Sequence, residues 1–185
     1  MRKIGLTLIA AVMAGLFTLP AFAEGRIKFS GNVGRAGIFV DGNYIGPVAR
    51  FTVTETYRVA AGEHEITLRD PRYEDFKTTV TVEDGKTTKI KFKMTKLEPP
   101  KPPYARLRFG GGNAQSLISV AYGDTSAVYL NGQFWGYVDE FNNVGGGMVL
   151  PPGTYTVRVD SPIYGQINEK VTLEANRVTV IPLSW

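Results

Sequence analysis

Residues 39–46 read Phe-Val-Asp-Gly-Asn-Tyr-Ile-Gly, and residues 129–136 read Tyr-Leu-Asn-Gly-Gln-Phe-Trp-Gly. In both stretches, apolar side chains flank an Asx-Gly pair. This pair is the strongest short signal for a β-hairpin, because a type I′ turn needs a positive φ at both of its central residues. The sequence therefore predicts the same two-residue hairpin twice, with its turns at Asp41-Gly42 and Asn131-Gly132.

The repeat extends outward from these hairpins. Residues 25–29 match residues 105–109 at an offset of 80, and from residue 62 onward the two copies match at an offset of 91. Period-two apolar alternation and turn glycines recur, which is the pattern of half-buried strands. No sustained 3.6-residue apolar period follows the first 23 residues. The sequence predicts an all-β chain of two tandem antiparallel β-sandwiches of the immunoglobulin-like type.

The alternation and the turn residues also place the individual strands. In the first unit the predicted strands are 26–30, 37–41, 43–47, 51–59, 63–69, 75–83 and 87–94. In the second unit they are 105–109, 117–122, 126–130, 133–138, 148–150, 154–160, 167–174 and 177–184.

The first 23 residues have the three parts of an export signal. A basic start is followed by an apolar run over residues 4–19 and by Ala21-Phe22-Ala23, a small-residue cleavage site. The sequence predicts cleavage after Ala23 and delivery to the periplasm or the exterior. An uncleaved anchor is the weaker interpretation, because no stop-transfer pattern follows. The chain has no cysteine, so we expect neither a lipoprotein nor a disulfide.

A proline-rich segment separates the two copies. Residues 97–103 read Leu-Glu-Pro-Pro-Lys-Pro-Pro, a composition that favours an extended polyproline II conformation. At roughly 3.1 Å per residue, the five residues 99–103 of this spacer, four of them prolines, would hold the units about 15 Å apart. The predicted organisation is a signal peptide at 1–23, a first sandwich at 24–96, the linker at 97–103 and a second sandwich at 104–185.

The charge pattern argues against a nucleic-acid partner. Without Arg2 and Lys3, the chain has 19 basic and 17 acidic residues. Lysine and glutamate are interspersed along the strands, which predicts a solvated sheet face and no basic patch.

The two copies together resemble the PEGA domain. In each copy the Asx-Gly hairpin described above is followed, at matching spacing, by a glycine turn and an alternating strand, at residues 62–68 and 151–159. The Pro-Glu-Gly-Ala motif itself is absent, since residues 60–63 read Ala-Ala-Gly-Glu and residues 151–154 read Pro-Pro-Gly-Thr. The resemblance implies a non-catalytic β-sandwich accessory module of exported proteins, with no cofactor and no site residues to carry over.

Residues suited to catalysis or metal binding are few. With one histidine and no cysteine, zinc sites and Ser/His/Asp or Cys/His catalysis lack the side chains they need. His64 is predicted to be a half-buried, hydrogen-bonded ring. The acidic pairs Glu74-Asp75 and Asp139-Glu140 lack the spacing of a calcium loop. The glycine runs 110–112 and 145–147 lack the Lys-Ser/Thr of a phosphate loop. We expect no catalytic residue, metal or cofactor.

Aromatic side chains are the best candidates for binding. Trp135 occupies the place of Ile45 in the first copy, which favours core packing. Tyr137 and Phe141 have no aromatic counterpart there, and with Tyr164 they are the predicted partner-binding residues. The preferred function is an exported, non-catalytic binding or structural module whose partner is an envelope protein or glycan. The alternative is a carbohydrate-binding module that stacks sugars on these three rings, and a carboxylate-based hydrolase is the third possibility.

Overall fold

The computed structural model describes residues 23–53, 55–110, 126–141 and 146–183. The predicted strand 117–122 and nearly all of the predicted signal peptide lie outside these ranges. The glycine runs 110–112 and 145–147 lie partly outside them.

The first unit is a sandwich of two sheets. Strands β1, β4 and β7 form a three-stranded sheet in the order β4-β1-β7, and the other four form a sheet in the order β3-β2-β5-β6. A 3-10 helix, Val48–Phe51, follows β3. The strands are β1 (Glu24–Gly31), β2 (Gly37–Val40), β3 (Asn43–Pro47), β4 (Tyr57–Ala60), β5 (Gly62–Arg69), β6 (Phe76–Val82) and β7 (Thr87–Phe92).

The second unit repeats this topology strand by strand. Its sheets have the orders β11-β8-β14 and β10-β9-β12-β13, and a 3-10 helix, Val138–Phe141, again follows the hairpin. The prediction of two tandem β-sandwiches is confirmed. The strands are β8 (Ala105–Gly110), β9 (Ala127–Leu130), β10 (Gln133–Tyr137), β11 (Met148–Leu150), β12 (Gly153–Ser161), β13 (Gly165–Leu173) and β14 (Val178–Pro182).

Each sandwich buries the apolar face that strand alternation creates. Ile27 and Phe29 of β1 enter the first core against Ile66 and Leu68 of β5, and all four are at most 1% exposed. The second core is built in the same way from the equivalent residues of β8 and β12. Fully burying a side chain of this size contributes about 1.5–3 kcal/mol, so two separate cores stabilise the two units.

The first and last strands of each unit pair in parallel. Strand β1 runs beside β7 from Arg26↔Thr87 to Gly31↔Phe92, and β8 runs beside β14 in the same way. Each of the predicted antiparallel sandwiches therefore contains one parallel strand pair, which the sequence analysis did not anticipate. Hairpin signals report only strands that are neighbours in sequence, whereas a parallel pair needs a long crossover. The strands of the opposite sheet supply that crossover.

The hairpins contain a register shift that the sequence analysis missed. Counting outward from the two-residue turn of β9–β10 would pair Tyr129 with Phe134 and Val128 with Trp135. Tyr129 does pair with Phe134, but Val128 pairs with Gly136. The first hairpin has the same shift at the same place. The β-bulge inserts one extra residue, and the glycine that follows it adopts a φ of 112° in the second hairpin.

The predicted strand 51–59 is wrong over its first half. The chain instead forms the 3-10 helix Val48–Phe51, and the strand proper is β4. The Thr52 hydroxyl donates a hydrogen bond to the Ala49 carbonyl at 3.0 Å, and the Phe51 ring is buried in the first core. A local side-chain bond and one buried aromatic ring thus override the strand pattern.

The two units are in direct contact. A third buried cluster, formed by Phe39, Ala127, Tyr129, Phe134 and Tyr137 with Tyr44 against it, contains residues of both copies. The expectation that residues 97–103 would hold the units about 15 Å apart is therefore wrong.

Candidate functional site

The contact between the units is built from equivalent residues of the two hairpins. Phe39 and Tyr44 of the first unit meet Tyr129 and Phe134 of the second, and we call the buried set that includes them the inter-unit cluster. The Tyr44 and Phe134 rings stack with centroids 5.6 Å apart, and the Phe39 ring meets Phe134 edge-on at 5.9 Å. Contacts of this kind stabilise by about 0.5–1.5 kcal/mol beyond area burial.

Tyr137 lies at the centre of the inter-unit cluster. Its side chain is fully buried, and the Tyr44 hydroxyl donates a hydrogen bond to the Tyr137 hydroxyl at 3.0 Å. The Arg35 guanidinium lies 5.1 Å from the centroid of the Tyr137 ring. Burial raises the pKa of Tyr44 to about 12 and also raises the pKa of Tyr137. Both phenols therefore stay neutral at physiological pH.

An ion network borders this cluster and links the units a second time. Arg35 pairs with Asp139 and Glu140, and Arg72 donates to Glu140 at 2.7 Å while making a two-pronged contact with Asp70. The Glu140 side chain is 9% exposed, and burial raises its pKa although both arginines oppose that shift. Thus the acidic pair 139–140 takes part in the contact between the units.

An open cleft lies where the two units and the segment between them meet. Its larger compartment has a volume of about 410 Å³ and is mainly apolar. Leu97, Pro99 and Pro100 of the connecting segment form part of its lining, and Trp135 and Phe141 of the second unit form another part. We call this space, together with the neighbouring compartment described next, the inter-unit cleft.

A second compartment of the inter-unit cleft is more polar. It has a volume of about 250 Å³, and Arg69, Asp75 and Gln133 contribute polar groups to its lining. Trp135 and Leu97 line both compartments. The cleft therefore offers an aromatic ring with an apolar space and a polar space around it, which is the composition of small-ligand and peptide sites.

The bulge in β10 positions Trp135 for this role. Its side chain packs partly against the second core, as the equivalent Ile45 packs against the first. The core-packing prediction for Trp135 is therefore confirmed, but the residue also lines the cleft. The sequence signal for that second role was the exchange of isoleucine for the larger tryptophan at a matched position. The structural importance of Leu97 could not be read from the sequence, because it depends on how the units meet.

The structure does not bring the three predicted binding residues together. Tyr137 is in the inter-unit cluster, and Phe141 is buried in the second core while lining the larger compartment of the cleft. Tyr164 lies in the turn between β12 and β13, next to Ile163, and is 45% exposed. A ligand could contact the Tyr137 ring only if the units separated. That these residues bind a partner stays a prediction.

Other candidate chemistry can be placed as well. Both ring nitrogens of His64 are hydrogen-bonded, Nδ1 to Asp41 at 2.7 Å and Nε2 to the Ala60 carbonyl at 2.8 Å, as expected of a half-buried ring. In the part of the chain that the structure describes, no group of three or more His, Asp or Glu side chains is arranged to hold a metal ion. The same residues include no helix long and apolar enough to cross a membrane.

Fold and cleft together define a tandem β-sandwich protein whose two units share a cleft. The PEGA domain family model matches residues 25–98 and 119–184, so the chain belongs to the PEGA domain family and carries two copies of the domain. The PEGA domain is a non-catalytic type of module. The second match begins after β8, although β8 pairs with both β11 and β14 and completes the second sandwich.

Two solved structures show distant similarity. The Bacillus anthracis TIE protein is 13% identical with a TM-score of 0.28, over 87% of this chain and 33% of that one. The Bacteroides ovatus mixed-linkage glucan utilization locus SGBP-B, solved with a mixed-linkage heptasaccharide, is 17% identical with a TM-score of 0.18, over 82% of this chain and 38% of that one. This chain thus spans well under half of either protein. At these TM-scores neither likeness bears on fold or function. No curated protein matches the sequence.

Proposed function

We propose that this protein is an exported, non-catalytic module of the cell envelope that binds a partner in the inter-unit cleft. The observation that supports this most directly is the apolar compartment of about 410 Å³ beside Trp135. A compartment of this size and composition is large enough to take apolar side chains of a protein partner. Because both units and the connecting segment line it, the tandem arrangement itself creates the site.

The proposal of export rests on the sequence of residues 1–23 and on the start of the fold. Strand β1 begins at Glu24, directly after the proposed cleavage position. The Glu24 backbone nitrogen lies 3.1 Å from Asp84 Oδ1. Cleavage after Ala23 would turn this nitrogen into an ammonium group beside a carboxylate, a favourable charge-assisted contact. PEGA domains are typically extracellular, which agrees with this location.

Site-specific photo-crosslinking tests where the partner binds. A photoreactive amino acid is placed at Leu97, which lines the cleft and is 44% exposed, and separately at Ile163, beside Tyr164 and 65% exposed. Both variants are crosslinked in the native envelope. We expect capture of one partner from position 97 and none from position 163. Capture from position 163 alone would move the site to the Tyr164 turn and overturn the cleft assignment.

Exchange of Trp135 for isoleucine gives a matched test of the ring. The first copy carries Ile45 at the same bulge, so Trp135→Ile retains a side chain that packs against the core. We expect the variant to fold and to lose capture from position 97. Ile45→Val is the control, since it changes the equivalent position of the first unit, which carries isoleucine there and not tryptophan. Equal capture by both variants would mean that the indole ring does not contribute.

The second candidate function is glycan binding in the same cleft. It is favoured by the presence of Arg69, Asp75 and Gln133 in the lining of the compartment beside Trp135, since sugars need polar partners at their rims and a flat apolar surface beneath. The chain has two tryptophans. In a Trp185→Phe background, fluorescence of Trp135 can therefore report binding of cell-wall glycan fragments, and an unchanged spectrum across a glycan panel would reject this alternative.

A further inference from the structure

The outer face of the sheet β4-β1-β7 gathers basic side chains. Alternation along β1 turns Ile27 and Phe29 into the core and Arg26 and Lys28 outward. Strands β4 and β7 flank β1 and add three more outward cations. We call this surface the basic face; it consists of Arg26, Lys28, Arg58, Lys89 and Lys91. The expectation from sequence that the charges form no patch is wrong here, because parallel pairing of β1 with β7 brings distant cations together.

The strand register places like charges directly opposite each other. Arg26 faces Arg58 across one strand pair, and Lys28 faces Lys89 across the other. From the ordinary spacing of strands and residues, the five cations lie within an area of about 10 by 13 Å. Like charges at directly opposed positions destabilise a sheet. The arrangement therefore costs stability unless something outside the chain neutralises it.

The acidic residues that the structure describes do not supply that neutralisation. The strand register places one carboxylate residue on this face, Glu24, at its end and opposite Ala60. Among the described residues, no carboxylate lies within 4 Å of Arg26, Arg58 or either of the two β7 lysines. The Lys28 ammonium donates to a backbone carbonyl, that of Val53, at 3.1 Å.

The second unit shows that the fold does not need the cations of the flanking strands, although it keeps Arg106 and Arg108 at the positions of Arg26 and Lys28. At the positions equivalent to Arg58 and Lys89 it carries Val149 and Val180, in strands with the same pairing. Cross-strand repulsion is thus a property of the first unit alone, added to a framework that forms without it. Like charges are normally avoided at directly opposed strand positions. An exception that occurs in only one of two equivalent copies indicates a functional role.

We propose that the basic face docks the protein on an anionic lipid surface by contacting its phosphate headgroups. The sheet presents its cations as a two-dimensional array on one face, which complements the array of phosphates on a lipid surface. An anionic membrane surface attracts basic residues held near it. The described part of the second unit leaves this face uncovered, since it packs on the opposite sheet of the first sandwich. Docking here therefore goes beyond partner binding in the cleft.

Vesicle co-sedimentation tests this proposal with residues 24–185, which contain all the described strands. This form omits the apolar N-terminal run, which would itself enter lipid. The vesicles are pure phosphatidylcholine or phosphatidylcholine with about a third phosphatidylglycerol. We expect binding to the anionic vesicles alone, weakened as NaCl is raised from 50 to 300 mM, because surface charges are screened.

Grafted valines provide the decisive variant. Arg58→Val/Lys89→Val copies the second unit, removes both like-charge pairs and is expected to unfold at the same or a higher denaturant concentration than the wild type. With each cation contributing about fivefold to lipid affinity, we expect binding to fall about 25-fold. Lys77→Val/Lys170→Val removes the same charge from the two four-stranded sheets and is expected to bind nearly as the wild type does.

Three results would overturn the proposal. One is the absence of binding to anionic vesicles by the wild type. Another is an equal loss of binding in both double variants, which would show dependence on net charge and not on the basic face. The third is binding to a soluble acidic polysaccharide such as heparin without binding to vesicles. This result would identify an anionic polymer, and not a lipid surface, as the ligand of the basic face. None of these results bears on capture from position 97.

Discussion

Tyr44 and Tyr137, 93 residues apart in the chain, join the two PEGA domains through a hydrogen bond of 3.0 Å between their hydroxyl groups. Both rings are largely shielded from water, and Tyr137 is fully buried. Because Tyr137 is fully buried, its hydroxyl has little access to water as a replacement partner if Tyr44 loses its own. The bond therefore reports on the contact between the domains and on nothing within either of them.

A double-mutant cycle is expected to show this coupling. Tyr44→Phe and Tyr137→Phe should each lower the free energy of unfolding by about 1–3 kcal/mol, because each leaves one buried hydroxyl unpaired. The double variant should lose less than the sum of the two, since no hydroxyl is left without a partner. Denaturant unfolding of the four proteins measures the coupling. Strictly additive losses would show that the domains do not contact each other here in solution.

Why this contact escaped sequence analysis can be stated in physical terms. The alternation that puts Ile66 and Leu68 inside a sandwich predicts one buried face for each strand, and it predicted most strands and both hairpin turns correctly. Strands β2 and β9, however, are apolar at every position and buried on both faces. A continuous apolar run is the signature of a doubly covered strand. That signal was present, but the sequence does not say what covers the second face.

Other features depend on long-range geometry that no local pattern encodes. The parallel pairing of β1 with β7 is one, and it alone brings Lys28 beside Lys89 to form the basic face. The cleft is another, because it requires Leu97 of the connecting segment to lie near Trp135 of a strand. The sequence identified the three candidate binding residues by their aromatic side chains. It did not indicate that Tyr137 would be buried.

Substitution of Gly132 by valine is expected to destabilise the second domain by about 1–3 kcal/mol. Gly132 has a φ of 79°, which a β-branched residue resists, and it follows Asn131 with a φ of 49°. No atom lies within 4 Å of a Cβ built at this position, so the cost is backbone strain and not collision. Gly132→Asn is the control, because asparagine tolerates this conformation. Equal denaturant midpoints for the two variants would argue against strain at the turn.

Cleavage of the N-terminal segment is expected directly after Ala23. Mass spectrometry of the protein purified from its native cells should find Glu24 as the first residue. If the new ammonium group contacts Asp84 as the 3.1 Å distance suggests, Asp84→Asn should lower the stability of the cleaved form more than that of a form that retains residues 1–23. Detection of an intact Met1 on the native protein would contradict the export proposal.

The first domain contains a histidine whose charge is stabilised by the fold. The His64 ring contacts Asp41 through one nitrogen and the Ala60 carbonyl through the other, and both partners accept hydrogen bonds. Donation from both nitrogens requires the protonated ring. The hydrogen bond with Asp41 accordingly raises the pKa of His64, and the same bond with His64 lowers the pKa of Asp41.

Stability of the first domain should therefore fall as the pH rises from 6 to 9. Because folding raises the pKa of His64, protonated His64 stabilises the folded state fully below its unfolded-state pKa near 6.5. This stabilisation is lost as the pH passes through the raised folded-state pKa. The contribution of Asp41 persists above pH 4. Since Asp41 is half exposed, we expect a change below about 1 kcal/mol in the free energy of unfolding.

The graft Asp41→Asn/His64→Tyr copies Asn131 and Tyr155 of the second domain, where the Tyr155 hydroxyl donates to the Pro151 carbonyl at 2.8 Å. This variant should lack that pH dependence. NMR titration of the chain's one histidine provides the direct measurement, and a pKa at or below 6.5, or an unchanged pH profile in the graft, would contradict the stabilised charge.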